Sequence, residues 1–366
     1  MTMNQNREQS GKNKRMKDLP APTPSAQFDM FTAFYGDPKK HSNTIELWDA
    51  IPKYSCSARK QIALRDKDGR LPIWEREFIY KPYNSDEQIP ATMQIKPALI
   101  KVDGTERSFL PSVNEELIEE VLRKLFADQK HGRHYADQEQ SFVEFSLAMI
   151  ARELRMRGHS RSLEQIKLSL MIMNECRLLL FFHGNNKKAA YRGAIIPEAI
   201  EVSRAEYLAD PKSRWRVTLP FVYSRAINNL QFRQFNYEIL MSMSSQLARW
   251  LHKLLARRYT NASLTQPYSI RYSTIKRDSA LLVHSREDRN RETVRDALEE
   301  LRAQDVLLFY KVSKSAADGR DPLYELTPTG VFVAEVKAAN KRQLDYESRL
   351  LEGNRPAPFA AGSLPE

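Results

Sequence analysis

The side chains of this sequence best equipped to act on a partner lie between Arg286 and Arg295, in the run Arg286-Glu-Asp-Arg289-Asn290-Arg291-Glu-Thr293-Val-Arg295. Arginine can donate two parallel hydrogen bonds to guanine O6 and N7, and asparagine can bridge adenine N6 and N7. Val294, Ala297, Leu298 and Leu301 recur at helical spacing, which predicts a helix over 290–303 with that face buried. Arg289, Thr293 and Arg295 then point outward, with Asn290 and Arg291 nearer the flank. The segment reads as a helix that contacts base edges. Glu292, Asp296, Glu299 and Glu300 share its exposed side, so a solvated face laced with ion pairs is the competing account.

Other cations surround it. Arg271, Lys276 and Arg277 flank the preceding segment; Lys311, Lys314 and Arg320 follow; Lys253, Arg257 and Arg258 end an earlier helix. Such residues suit phosphate contacts, which position a protein on DNA without specifying sequence. A second group, with Arg152, Arg155, Arg157 and Arg161 and then Lys187 and Lys188, suits the same role in the first half of the chain.

Signals of catalysis are missing. Gly11-Lys12 lacks an earlier glycine and runs into Asn13, so it is no phosphate loop, and no dinucleotide fingerprint occurs. A metal-dependent nickase would need two histidines flanking one apolar residue. His131-Gly-Arg-His134 has other spacing and reads as part of a polar loop over 128–140. His159, His252 and His284 read as surface groups. Cys56 and Cys176 are too few for a disulfide framework or a zinc ribbon, and Cys176 reads as a core residue. The expectation is a protein that is not an enzyme, with no catalytic residue, metal or cofactor.

The 366 residues include 57 Lys and Arg against 46 Asp and Glu, a net charge of +11 that points to a polyanionic partner. Residues 168–182 are the most apolar stretch, but Asn174, Glu175 and Arg177 interrupt it. No membrane contact, no signal peptide and a cytoplasmic location are expected.

Residues 1–44 read as a disordered basic arm. Strands are expected over 45–110, with Asp103-Gly104 turning a hairpin. Ser112 and Glu115 fit a capping box before a helix carrying Leu117, Val121, Leu122 and Leu125. Helices follow over 145–156 and from Ser162 to about Cys176, the latter too apolar to lie in a groove and read as buried. Strands over 177–182, 189–196 and 215–219 are expected to lie together. The order then returns: a long helix over 235–259, a shorter one over 268–281, the helix over 290–303, strands over 306–312 and 323–326, and a closing helix over 329–343. The predicted fold class is α+β: two winged-helix domains in tandem, at 45–230 (with a β extension, for dimerisation and DNA backbone contact) and 231–345 (for sequence-specific DNA binding), followed by a disordered tail at 346–366.

This order, with Phe232-Arg-Gln-Phe-Asn-Tyr237, Leu247-Ala-Arg-Trp-Leu251, Ile275-Lys-Arg-Asp278 and Val294-Arg-Asp-Ala-Leu298, resembles the bacterial plasmid replication initiators built from two winged-helix domains. The resemblance covers about residues 45–345. It implies monomers that bind direct repeats (iterons) at an origin, melt adjacent DNA and bring in the host helicase and initiator. It also implies dimers that repress their own gene at an operator. Gln27-Phe28-Asp29-Met30-Phe31 looks like the pentapeptide by which bacterial proteins dock on the DNA polymerase sliding clamp; packing on the protein's own surface is the alternative. A winged-helix transcription regulator with no part in replication would share the helix order and have no use for the pentapeptide.

Overall fold

The structure, a computed structural model, describes residues 41–82, 87–127, 131–135, 137–184, 187–203, 205, 214–229, 232–313 and 321–351. Residues 1–40 with Gln27–Phe31, both Lys314 and Arg320, and residues 352–366 lie outside the described residues; of the expected disordered ends, 41–44 are instead strand and 346–351 helix.

In chain order the first half contains β1 (His41–Ile45), α1 (Glu46–Ala50), α2 (Ala58–Leu64), β2 (Trp74–Tyr80), β3 (Ile89–Lys96), β4 (Ala98–Val102) and β5 (Thr105–Phe109). It continues with α3 (Val113–Ala127), β6 (Gly132–Tyr135), β7 (Gln140–Phe145), α4 (Leu147–Met156), α5 (Leu163–Glu175), β8 (Arg177–Gly184), β9 (Lys187–Gly193), β10 (Glu198–Ile200), β11 (Trp215–Thr218) and α6 (Phe221–Asn228). The second half contains β12 (Phe232–Asn236), α7 (Tyr237–Ser242), α8 (Gln246–Arg258), β13 (Tyr268–Arg271), α9 (Tyr272–Ser279), α10 (Glu287–Ala303), β14 (Leu307–Ser313), β15 (Leu323–Pro328) and α11 (Gly330–Leu351). It is a mixed α and β architecture with antiparallel sheets. Three helices precede a β-hairpin in each half: α3, α4 and α5 before β8–β9, and α8, α9 and α10 before β14–β15.

Local chemistry explains much of this. Asp103 and Gly104 both take positive φ, 49° and 79°, as a two-residue hairpin turn requires, and Val102 faces Thr105 across it. At α5 both halves of the capping box form, Ser162 accepting from Gln165 N–H and Gln165 returning the bond. At α3 the glutamate half forms: Glu115 accepts Ser112 N–H at 2.7 Å and the Ser112 hydroxyl at 2.9 Å. α4 ends where Gly158 takes φ 80°.

Four expectations are corrected. The polar loop expected over 128–140 is strand over Gly132–Tyr135 and again from Gln140, where β6 and β7 pair and bury His134 against Ser141 and Asn228. Phe145 ends β7 rather than starting a helix. β11 does not join β8 and β9. It lies between β10 and β7, while β8 and β9 extend the sheet β2-β3-β8-β9. The helix expected over 235–259 is strand, short helix and longer helix, broken at Met243-Ser244-Ser245. Arg249 donates to the carbonyls of Met243 (2.9 Å) and Ser244 (3.1 Å), and Glu300 on α10 accepts from the N–H groups of Ser244 (2.6 Å) and Ser245 (2.9 Å). The main-chain groups freed by the break are recovered by charged side chains, so no orphan remains to favour a continuous helix.

Two buried apolar clusters result. One runs from Ile45 to Met241 and includes Trp48, Phe78, Leu117, Met173 and Tyr237, with Ala256 added from α8. The other runs from Met243 to Val336 and includes Leu247, Ile275, Leu298 and Phe332. β1 pairs with β12 along its length, Ile45 opposite Phe232, so the start of the described chain is stitched to the strand that leads into the second half.

A buried charge network joins the halves. Arg123 of α3 grips Asp49 of α1 through two bonds of 2.7 Å, and Lys253 of α8 reaches Asp49 at 2.8 Å and also Glu120. Arg249 forks onto Glu116 at 3.2 and 3.0 Å. Arg258 pairs with Glu46 at 2.8 Å, and Arg257 donates to the Glu46 carbonyl at 3.0 Å. Burial alone would raise the Asp49 carboxyl, but Arg123 and Lys253 hold it well below the usual carboxylate range. Lys253, Arg257 and Arg258, expected at DNA phosphates, instead turn their charges into the seam. His252 is likewise not on the surface. It is buried between Phe235 and Phe332, and desolvation pushes its imidazole down to about 3.

Candidate nucleic-acid interface

α10 is the centre of the candidate interface. Val294, Ala297, Leu298 and Leu301 are fully buried, as the spacing predicts, and turn the opposite side to solvent. The helix begins three residues earlier than expected, at Glu287. Glu287 and Asp288 in its first turn face the positive end of the helix dipole.

The outward cations are mostly held in surface ion pairs. Arg289, 58% exposed, meets Glu292 at 2.6 Å, and Arg286 pairs with Asp288. Exposed pairs of this kind contribute little stability, typically below about 1 kcal/mol, so a phosphate or a guanine edge can replace the carboxylate at small cost. Arg295 is exposed, and among the described residues no carboxylate pairs with it. Thr293 is half-buried and its hydroxyl donates to Arg289 O at 3.0 Å. The Arg291 guanidinium lies 5.6 Å from the Tyr272 ring centroid, which ties it to α9.

Asn290 departs from its expected role. It is fully buried; its Oδ1 accepts from His284 N–H at 3.0 Å and its Nδ2 donates to His284 O at 2.9 Å. It holds the turn between α9 and α10, and its burial keeps it from a base edge. The amphipathic wheel put it near the flank but could not show that the turn folds over it.

The acids that compete with a DNA-facing role divide along the helix. Glu300 caps the start of α8, and Glu299 accepts from Tyr310 at 2.9 Å and pairs with Arg302 at 2.8 Å. These carboxylates serve the fold at the C-terminal end. At the N-terminal end Lys276 and Tyr272 both bind Glu287 and hold its carboxyl below the ordinary range.

Around α10, Arg271 is exposed, 3.9 Å from Asp321. Arg277 lies against Asp278 at 2.7 Å, and Asp278 in turn accepts from Ile79 N–H of β2 at 3.0 Å. Lys311 is exposed on β14 opposite Glu325, its ammonium 5.9 Å from the Phe309 ring. Val312 on the same strand is exposed as well.

The first half differs. α5 buries Ile166, Leu170, Ile172 and Met173, as its composition predicts. Arg157 is 20% exposed and is held by Glu153 (3.3 Å) and Glu238 (3.1 Å), so it fastens α4 to α7. Arg161 donates to Asn114 at 2.8 Å. Lys187 and Lys188 lie on β9 opposite Gly184 and His183, and their side chains fall outside the described residues. The structure therefore brings Arg271, Lys276, Arg277, Arg289 and Arg291 onto adjoining elements and assigns Arg157 to packing.

Among the described residues no group of three or more His, Cys, Asp or Glu side chains is placed to hold a metal, and no helix is long and apolar enough to cross a membrane. Both cysteines are buried thiols. No protein family matches the sequence, and no curated protein matches it. Among solved structures the chain is similar to domains 2 and 3 of RctB: 13% identity over 73% of this chain and 95% of that one, with a TM-score of 0.43. A selenomethionine crystal of the same two domains gives 12% identity over 69% and 91%, with a TM-score of 0.41. The Pi initiator protein, crystallised in complex with iteron DNA, gives 11% identity over 59% and 91%, with a TM-score of 0.41.

Proposed function

We propose that this chain is a duplex-DNA-binding replication initiator whose second half reads direct repeats at an origin. The observation that carries it is α10, a helix buried on one face by a three-helix-and-hairpin unit and presenting Arg286, Arg289 and Arg295 from its N-terminal two-thirds. In helix-turn-helix units the N-terminal residues of the third helix are the ones that reach base edges. Both halves are read as winged helices, the second specifying sequence and the first holding the DNA backbone and a second copy. The +11 charge supplies the sequence-independent attraction. Melting of adjacent DNA, recruitment of the host helicase and initiator, autorepression at an operator, and sliding-clamp docking through Gln27–Phe31 complete this reading. The protein acts in the cytoplasm and needs no cofactor.

Footprinting of the purified chain on DNA flanking its gene tests the proposal. Protection of an array of direct repeats is expected. Protection of a single operator with no repeat array would identify a transcription regulator instead, and cleavage of the DNA with a covalent protein adduct would identify a nickase.

A further inference from the structure

Below the charge network, where β2, α8 and α9 meet, the seam opens into a cavity of about 210 Å³. Its apolar wall is Trp250, Tyr268 and Ile270, and its polar wall is four cations, Lys81, Arg257, Arg258 and Arg277, with one carboxylate, Asp278. Arg258 and Arg277 are matched by Glu46 and Asp278. The other two cations are not matched in this way. Arg257 is 4% exposed and donates to neutral carbonyl oxygens, those of Glu46 at 3.0 Å and Lys253 at 3.4 Å. Among the described residues no carboxylate pairs with Lys81.

We propose that this cavity binds a small phosphate-bearing anion, its phosphate held by Lys81 and Arg257 and its body resting on Trp250 and Tyr268. A buried guanidinium without a bonded anion is a costly arrangement that a phosphate relieves through charge-assisted, forked hydrogen bonds. The direction of the Arg257 shift agrees: burial pushes its guanidinium down, more than Asp49 and Glu46 restore. The concavity favours a free anion over a duplex, whose phosphates project from a wide convex surface. Occupancy would also act on DNA binding. The cavity is lined by Thr274 of α9, and the Asp278–Ile79 bond beside it is a direct tie between the helix preceding α10 and the first half. A ligand there bears on how the two halves are set.

Titration calorimetry of the full chain with AMP and with inorganic phosphate tests this. Saturable binding of AMP is expected, weakened about tenfold in Lys81→Ala and retained in Lys81→Arg, with the unfolding temperature unchanged in both. Absence of saturable binding by either probe overturns the proposal, as does equal AMP affinity in Lys81→Ala. If Lys81→Ala weakens duplex binding and leaves AMP binding as it was, the cleft is a DNA backbone contact and the proposal also falls.

Discussion

α8 and α10 carry similar cationic residues and put them to opposite uses. In α8, Arg249, Lys253, Arg257 and Arg258 turn inward; Arg249 and Arg257 are almost wholly buried and Lys253 is 12% exposed. Arg286 at the start of α10 and Arg289 within it stand in solvent with single exposed carboxylates beside them. A cation in the seam is fixed by desolvation and cannot leave its partner without exposing a buried charge. A cation on α10 exchanges its partner almost freely. Basic character alone therefore does not say which charges a partner can reach; solvent access to the charged end does.

The largest expected effect comes from breaking the seam. Arg249→Leu leaves Glu116 uncompensated and the Met243 and Ser244 carbonyls without their donor, and should lower unfolding free energy by about 3–5 kcal/mol. Urea denaturation checks this, and a loss below about 1 kcal/mol would place Arg249 with the exchangeable cations of α10. Next is the pH dependence that the buried His252 imposes. Its imidazole titrates at about 3 in the folded chain against 6.5 when unexposed to burial, so the unfolded state binds the proton first as pH falls. Stability that is fully present above 6.5 should decline below it, by up to about 1.4 kcal/mol per pH unit, until the folded group titrates near 3. His252→Gln should flatten that slope between pH 6 and 5 in thermal melts. The smallest effect, and the one confined to α10, is Arg295→Ala. It should cost about 1–3 kcal/mol of discrimination between repeat and random DNA while leaving the melting temperature unchanged. Fluorescence anisotropy on both DNAs decides it, and equal losses on the two would return Arg295 to the phosphate contacts.

Elements with one dominant local signal were legible in the sequence. The Asp103-Gly104 turn, the Ser162 box and the apolar faces of α3, α5 and α10 follow from two to five residues each. What was not legible depends on partners far along the chain. The break at Ser244–Ser245 needs Glu300, 55 and 56 residues away, and the burial of Lys253 needs Asp49, 204 residues away. Asn290 carries the residue type and helix position of a base reader, and only the fold of the turn onto it gives it away. The glutamates of α3 look like a solvated face, yet Glu115, Glu119 and Glu120 are buried because Ser169 of α5, Trp48 of α1 and Lys253 of α8 cover them in turn.

The cap that Glu300 places on α8 has one more consequence. α10 holds the amides of Ser244 and Ser245 at the entry to α8; α8 holds α3 through Arg249 and Glu116. From the exposed face of α10 to the core of the first half there are two such clasps in series, both made of charged groups and neither containing a run of loose chain. A molecule jointed this way behaves as a calliper of fixed span. Where both halves rest on one duplex, the distance between the places they touch is set by the protein, and a few base pairs inserted between those places must be absorbed by the DNA.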